Sequence, residues 1–122
     1  MQKLNSEKAT HLLRQLPYKM WMRVGILNAP KGIGRIDVGS LDELLWSIQP
    51  SKKSLVVVNH EQLETWLRES VQDEDFAQEI QDIRNQDITY IEISQMVYEA
   101  TQKRVAILKS YIEEEKSDET MA

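Results

Sequence analysis

The stretch closest to a catalytic pattern is His60-Glu61-x-x-Glu64. Helix-borne zinc sites need two imidazoles at i and i+4 to hold one metal. Here Glu64 stands in the second place, and the only other histidine is His11. The pattern therefore reads as a helix start with surface carboxylates. Lys31-Gly32-Ile33-Gly34 is glycine-rich and follows a strand-like run. A phosphate-cradling loop would need a third glycine, or a Gly-Lys-Ser/Thr ending, and then a helix N-terminus. A short apolar stretch follows instead, so a hairpin turn is the better reading. No Ser or Thr has a base and an orienting acid within a recognisable pattern. No catalytic, cofactor-binding or metal residue is assigned, and no cofactor is expected. An enzyme is the less favoured class.

Two residue sets point to binding rather than chemistry. Lys19, Trp21, Arg23 and Lys31, with Arg35, Lys52 and Lys53, interleave cations with an aromatic. Exposed strands of this type bind single-stranded nucleic acid by stacking and charge. The plain alternative is an edge strand kept soluble by its charges. Ile93, Met96, Ala100, Ile107 and Tyr111 lie in an apolar series that recurs every three or four residues near the C-terminus. An exposed stripe of this kind pairs with another helix, a second copy included. Packing within the domain is the competing reading.

Composition sets the frame. At 122 residues the chain has the length of one domain. It has no cysteine, which removes disulfides and thiolate metal sites. No apolar run approaches the roughly 20 residues of a membrane span, and the first residues lack the apolar core of a signal peptide. A cytoplasmic location follows as the expectation. The net charge of −5 is unevenly spread. Residues 1–60 balance to +5 and residues 61–122 to −10. An acidic whole is a poor bulk match for nucleic acid, although the first half keeps a basic share.

The elements that must position these residues follow from period and caps. Ser6 is read as an N-cap, with Ala9, Leu12, Leu13 and Leu16 at helical spacing up to Pro17. Tyr18 to Leu27 alternates, with Tyr18, Met20, Met22, Val24 and Ile26 on one face, which argues a strand. Residues 28–32 read as a turn, and Ile33–Val38 as a second, short strand. Ser40 with Glu43 forms a capping box before Leu41, Leu44, Leu45 and Ile48, and Pro50 stops that helix. The β-branched run Leu55–Val58 suits a strand buried on both faces. Asn59 or His60 starts a helix with Leu63, Trp66, Leu67 and Val71 inward. Asp73 caps another, with Phe76, Ala77, Ile80 and Ile83 inward. A long helix is expected from about Thr89 to Glu114, and residues 116–122 as a disordered acidic tail.

Four of these stretches resemble the pattern of a family of small archaeal and bacterial domains of unknown function. They are Ser40-Leu41-Asp42-Glu43-Leu44, Leu63-Glu64-Thr65-Trp66, Gln72-Asp73-Glu74-Asp75-Phe76-Ala77 and Arg104-Val105-Ala106-Ile107-Leu108-Lys109. Order and spacing agree over roughly residues 8–112. The chain departs from the family at its strand histidine and at Asn-Asp before the aromatic, where Glu61-Gln62-Leu63 stands. Gln72 replaces a glycine. The shared residues are capping and core types, so the resemblance implies a fold and carries no activity.

The expectation is an α+β fold, with mixed α/β as the alternative. A sheet of two or three strands is covered by four or five helices and ends in a long C-terminal helix, all within one domain over residues 1–115. The leading functional expectation is a non-enzymatic protein-interaction or regulatory module, dimerising through the last helix or binding another protein. Nucleic-acid binding by the basic first half is the first alternative. A small-ligand or enzyme site near His60 is the second.

Overall fold

The computed structural model describes residues 3–28, 32–49 and 54–121, with side chains described over 3–24, 36–49 and 58–113. The first helix, α1, spans Ser6–Leu12. Its cap is Asn5, one residue before the expected Ser6, because the Asn5 side chain accepts from the Lys8 N–H. After Pro17 the chain makes one 3-10 turn, Tyr18–Met20, in place of the expected start of a strand. The turn closes through Met20 N–H to the Pro17 carbonyl (2.8 Å) and Trp21 N–H to that of Tyr18 (3.1 Å). β1 begins only at Met22 and runs to Asn28. The alternation keeps its expected phase there, with Met22 and Val24 buried and Arg23 exposed.

β2, Gly32–Val38, pairs antiparallel with β1, Met22 opposite Val38. The expected turn falls partly on residues 29–31, which lie outside the described residues, as do Pro50 and the linker 51–53. β3, Ser54–Val57, pairs antiparallel with β1, giving the sheet order β2-β1-β3. Among the described strands β3 thus lies at the edge of the sheet, and its side chains, on which the expected burial on both faces turns, lie outside the described ones.

The helices follow their caps. α2, Leu41–Ser47, starts at Ser40, whose hydroxyl accepts from the Glu43 N–H, while the other half of the expected capping box, from the Ser40 N–H to the Glu43 carboxylate, does not form among the described residues. α3, His60–Trp66, is capped by Asn59. It continues as one wider π turn, Leu67–Val71, which stops at Gln72 in the left-handed region (φ 70°). Asp73 caps α4, Glu74–Arg84. Thr89 accepts from the Glu92 N–H at the head of α5, Tyr90–Met121. α5 continues past the expected end near Glu114, and Ala122 lies outside the described residues. The fold is α+β, as expected.

α5 packs on α1, α2 and α4. Val97, Ala100, Thr101, Val105 and Leu108 are its buried positions. Val105, which was not in the stripe read from the sequence, faces inward. Ile107 is 46% exposed. The helix is therefore wedged into its own domain over that stretch, and a neighbouring pair of residues separates the two environments. In urea unfolding, Leu108→Ala is expected to cost about 2–5 kcal/mol, the range for truncating a fully buried leucine. Ile107→Ala should stay within about 0.5 kcal/mol. Equal costs at the two positions would contradict this packing.

Candidate functional site

The site begins with a tryptophan that is held in place. The Trp21 indole Nε1–H donates to the Leu16 carbonyl at 2.7 Å, and the Leu16 N–H donates to the Gly39 carbonyl at 2.8 Å. Gly39 gives the ring its room: a Cβ there would run into Trp21 Nε1 and Cδ1 and the Gln15 amide. The 3-10 turn then sets Tyr18 beside this fixed ring, centroids 5.0 Å apart and tilted by 58°. Tyr18 is 73% exposed. Across the hairpin, Arg23 stands opposite Asp37 at 3.9 Å. Both are exposed, so the pair adds at most about 1 kcal/mol. Tyr18, Lys19, Trp21, Arg23 and Asp37 line a hollow of about 200 Å³.

Two more hollows share its walls. One of about 200 Å³ is also lined by Lys19 and Trp21 and reaches Trp66, Gln62 and Glu69 on α3 and its π turn. Trp66 closes its floor by donating to the Met20 carbonyl at 2.8 Å. The other, about 290 Å³, shares Asp37 and is lined by Ile36, Asp42, Glu43, Trp46 and Ser47. Trp46 projects from the outer side of α2 and is 76% exposed. The first hollow thus adjoins the second through Lys19 and Trp21 and the third through Asp37, and this stretch of surface, with rings at Tyr18, Trp21 and Trp46, is the candidate face.

The residues expected to bind nucleic acid divide. Lys19, Trp21 and Arg23 do come together on this face, while Lys31 lies outside the described residues. The setting is not basic, because Asp37, Asp42, Glu43 and Glu69 line the same hollows. The expected interaction stripe on α5 also divides. Ala100 is core; Ile93, Met96 and Tyr111 are partly buried against it; only Ile107 is exposed.

Among the described residues, His60 lines one small void. Its ring packs on Tyr90, centroids 5.1 Å apart, beside a void of about 20 Å³ lined by Ile48, Val58, Ser94 and Val97. That is room for about one water and far below a ligand site. The Ser94 hydroxyl, buried, has no hydrogen-bond partner among the described residues. The Tyr90 hydroxyl donates to the Val58 carbonyl (3.0 Å) and accepts from its N–H (2.7 Å), which fixes the end of β3. The nearby carboxylate Glu64 faces α4, where it pairs with Arg84 at 3.2 Å, and a longer contact of 3.8 Å reaches Arg68. Glu64 is thus buried and paired, not the surface carboxylate that was expected. Among the described residues no three His, Cys, Asp or Glu side chains gather as metal ligands, and no helix is long and apolar enough to cross a membrane.

Tyr18, Asp37 and Trp46 were not among the residues singled out from the sequence. Trp46 carried a signal: it lies four residues after Asp42, off the Leu41–Leu44–Ile48 stripe, on the helix side that water should own. No protein-family model, no curated protein and no solved structure matches the chain.

Two expectations follow. Gly39→Ala should displace Trp21 from the Leu16 carbonyl, shift its fluorescence to the red and cost about 1–3 kcal/mol, the range for overpacking. Unchanged fluorescence and stability would contradict the seat described. Burial lowers the His60 pKa below its ordinary value. The unfolded chain therefore binds the proton more readily, so the neutral ring's contribution is full above about pH 6.5 and is lost as pH falls below it. The stability advantage of the wild type over His60→Gln should narrow between pH 7.5 and pH 5 in thermal melts. A constant gap would show that the buried ring does not titrate this way.

Proposed function

We propose that this chain is a non-enzymatic protein-interaction module that holds a segment of a partner polypeptide across the aromatic face. The observation that carries this reading is the run of three hollows with shared walls between Tyr18 and Trp46. Large aromatic rings left 73% and 76% exposed beside concave surface are costly to leave in water, and they are the residue types that anchor interfaces. Trp21 and Trp66, each fixed by a hydrogen bond, give the face a floor that is organised before binding.

The mixed charge favours polypeptide over nucleic acid. Arg23 is engaged by Asp37, and the adjoining hollow adds Asp42 and Glu43, which repel phosphates. A second copy of the chain is a weaker candidate, because the α5 stripe that suggested it is mostly packed internally. The absence of cysteine agrees with a cytoplasmic setting. Position 72, where the family that the sequence resembles carries glycine, has a left-handed backbone in this chain. The resemblance adds no activity.

Peptides selected from a random library on the folded protein test the reading. Tyr18→Ala and Trp46→Ala should each weaken the selected peptides by about 2 kcal/mol, roughly thirtyfold, with little change in melting temperature. Ile91→Ala, at a residue 71% exposed but outside the face, should have no effect. Peptides that bind all three variants as well as the wild type, or salt-sensitive oligonucleotide binding in their place, would overturn it.

A further inference from the structure

The hollow beside Trp46 differs from its neighbours in charge. Asp42 and Trp46 stand one turn apart on the outer side of α2, and Glu43 and Asp37 complete the rim around an apolar wall of Ile36 and the indole. Asp42 already holds a cation, the Lys109 ammonium of α5, at 2.8 Å. Asp37 is held loosely by Arg23 at 3.9 Å. The Glu43 carboxylate has no ion pair or hydrogen bond among the described residues. The rim is thus a carboxylate next to an exposed indole face, in a space of about 290 Å³. That volume is at or below the low end of pockets for drug-sized ligands, about 300–1,000 Å³, and suits one long side chain.

Resting on the interaction reading above, we infer that this hollow is the specificity pocket of the face and takes an arginine side chain of the bound segment. The guanidinium lies flat on Trp46 and its edge pairs with Glu43. A planar guanidinium satisfies both partners at once, whereas a lysine ammonium is a compact, strongly hydrated point charge. The carboxylates exclude an acidic side chain from the same place.

The test uses the full chain labelled with nitrogen-15. The probes are N-acetylarginine-N′-methylamide and its uncharged citrulline analogue. The Trp46 indole N–H signal is identified by its loss in Trp46→Phe. The arginine compound should shift that signal, and the shift should be at least about threefold smaller with citrulline or in Glu43→Gln. The Trp21 and Trp66 signals, whose protons are bonded to the Leu16 and Met20 carbonyls, should stay in place. Equal shifts from the two probes, or none from either, would overturn the inference. The selected peptides separate it from the broader reading. Enrichment of arginine, with about tenfold weaker binding when it is replaced by citrulline, supports the pocket. Peptides that need Tyr18 and Trp46 but show no arginine preference would leave the interaction module standing and remove the pocket. Peptides that need neither ring would remove both.

Discussion

The fold turns on one buried ion pair. The Arg104 guanidinium donates to both Asp73 carboxylate oxygens, Nε at 2.8 Å and the second nitrogen at 2.7 Å. Asp73 is 2% exposed. A carboxylate so deep in the protein is costly unless it is paired and hydrogen-bonded. It has both, because one of the same oxygens also accepts from the Phe76 N–H and so caps α4. A single side chain thereby starts one helix and pins another. The turn just before it is held from the opposite side. Arg14 of the segment after α1 donates to the Ser70 and Val71 carbonyls, and His11 meets Gln72 at 2.9 Å. The chain's first helical segment, the π turn, α4 and α5 all converge on these few residues.

That convergence decides which surfaces are core and which are left over. Once Arg104 is turned toward Asp73, Val97, Thr101, Val105 and Leu108 lie inward and Ile107 lies outward. α5 then presents Lys109 to Asp42, which ties it to α2. α2 buries Leu41, Leu44 and Ile48, and its remaining side carries Asp42 and Trp46 into the open. The aromatic face is built at the other margin of this frame, from a 3-10 turn, one hairpin and the outer side of α2. Of its rings, Trp21 packs partly against the core, whereas Tyr18 and Trp46 stay 73% and 76% exposed.

Much of the fold was legible because caps and periods are local. Ser40, Asn59 and Asp73 each mark a helix start through a side chain reaching three residues ahead, and each does so in the structure. The failures were also physical. Tyr18 alternated with Met20 and Met22, yet Pro17 and the 3-10 hydrogen bonds took Tyr18 and Met20 out of the strand, which starts at Met22. The β-branched run of β3 could not reveal that it lies at a sheet edge, because strand order is a tertiary property. Every third or fourth residue of α5 looked apolar, and it is the packing of α5 on α1, α2 and α4 that leaves Ile107 outward and Leu108 inward. The candidate face was the least legible part. Asp37, Trp21 and Trp46 meet only through the hairpin register and the packing of α2 on β2.

A double-mutant cycle across the buried pair tests the dependence on Asp73 and Arg104 most directly. Asp73→Asn keeps an acceptor for the Phe76 N–H while removing the charge, and Arg104→Met keeps much of the side-chain length. Each single change should cost about 3–5 kcal/mol in urea unfolding, because each leaves a buried charge without its partner. The double variant should recover part of that loss, with a coupling of about 2 kcal/mol or more. Costs that add to within about 0.5 kcal/mol would mean that the two residues act independently and that the helices are organised by something else.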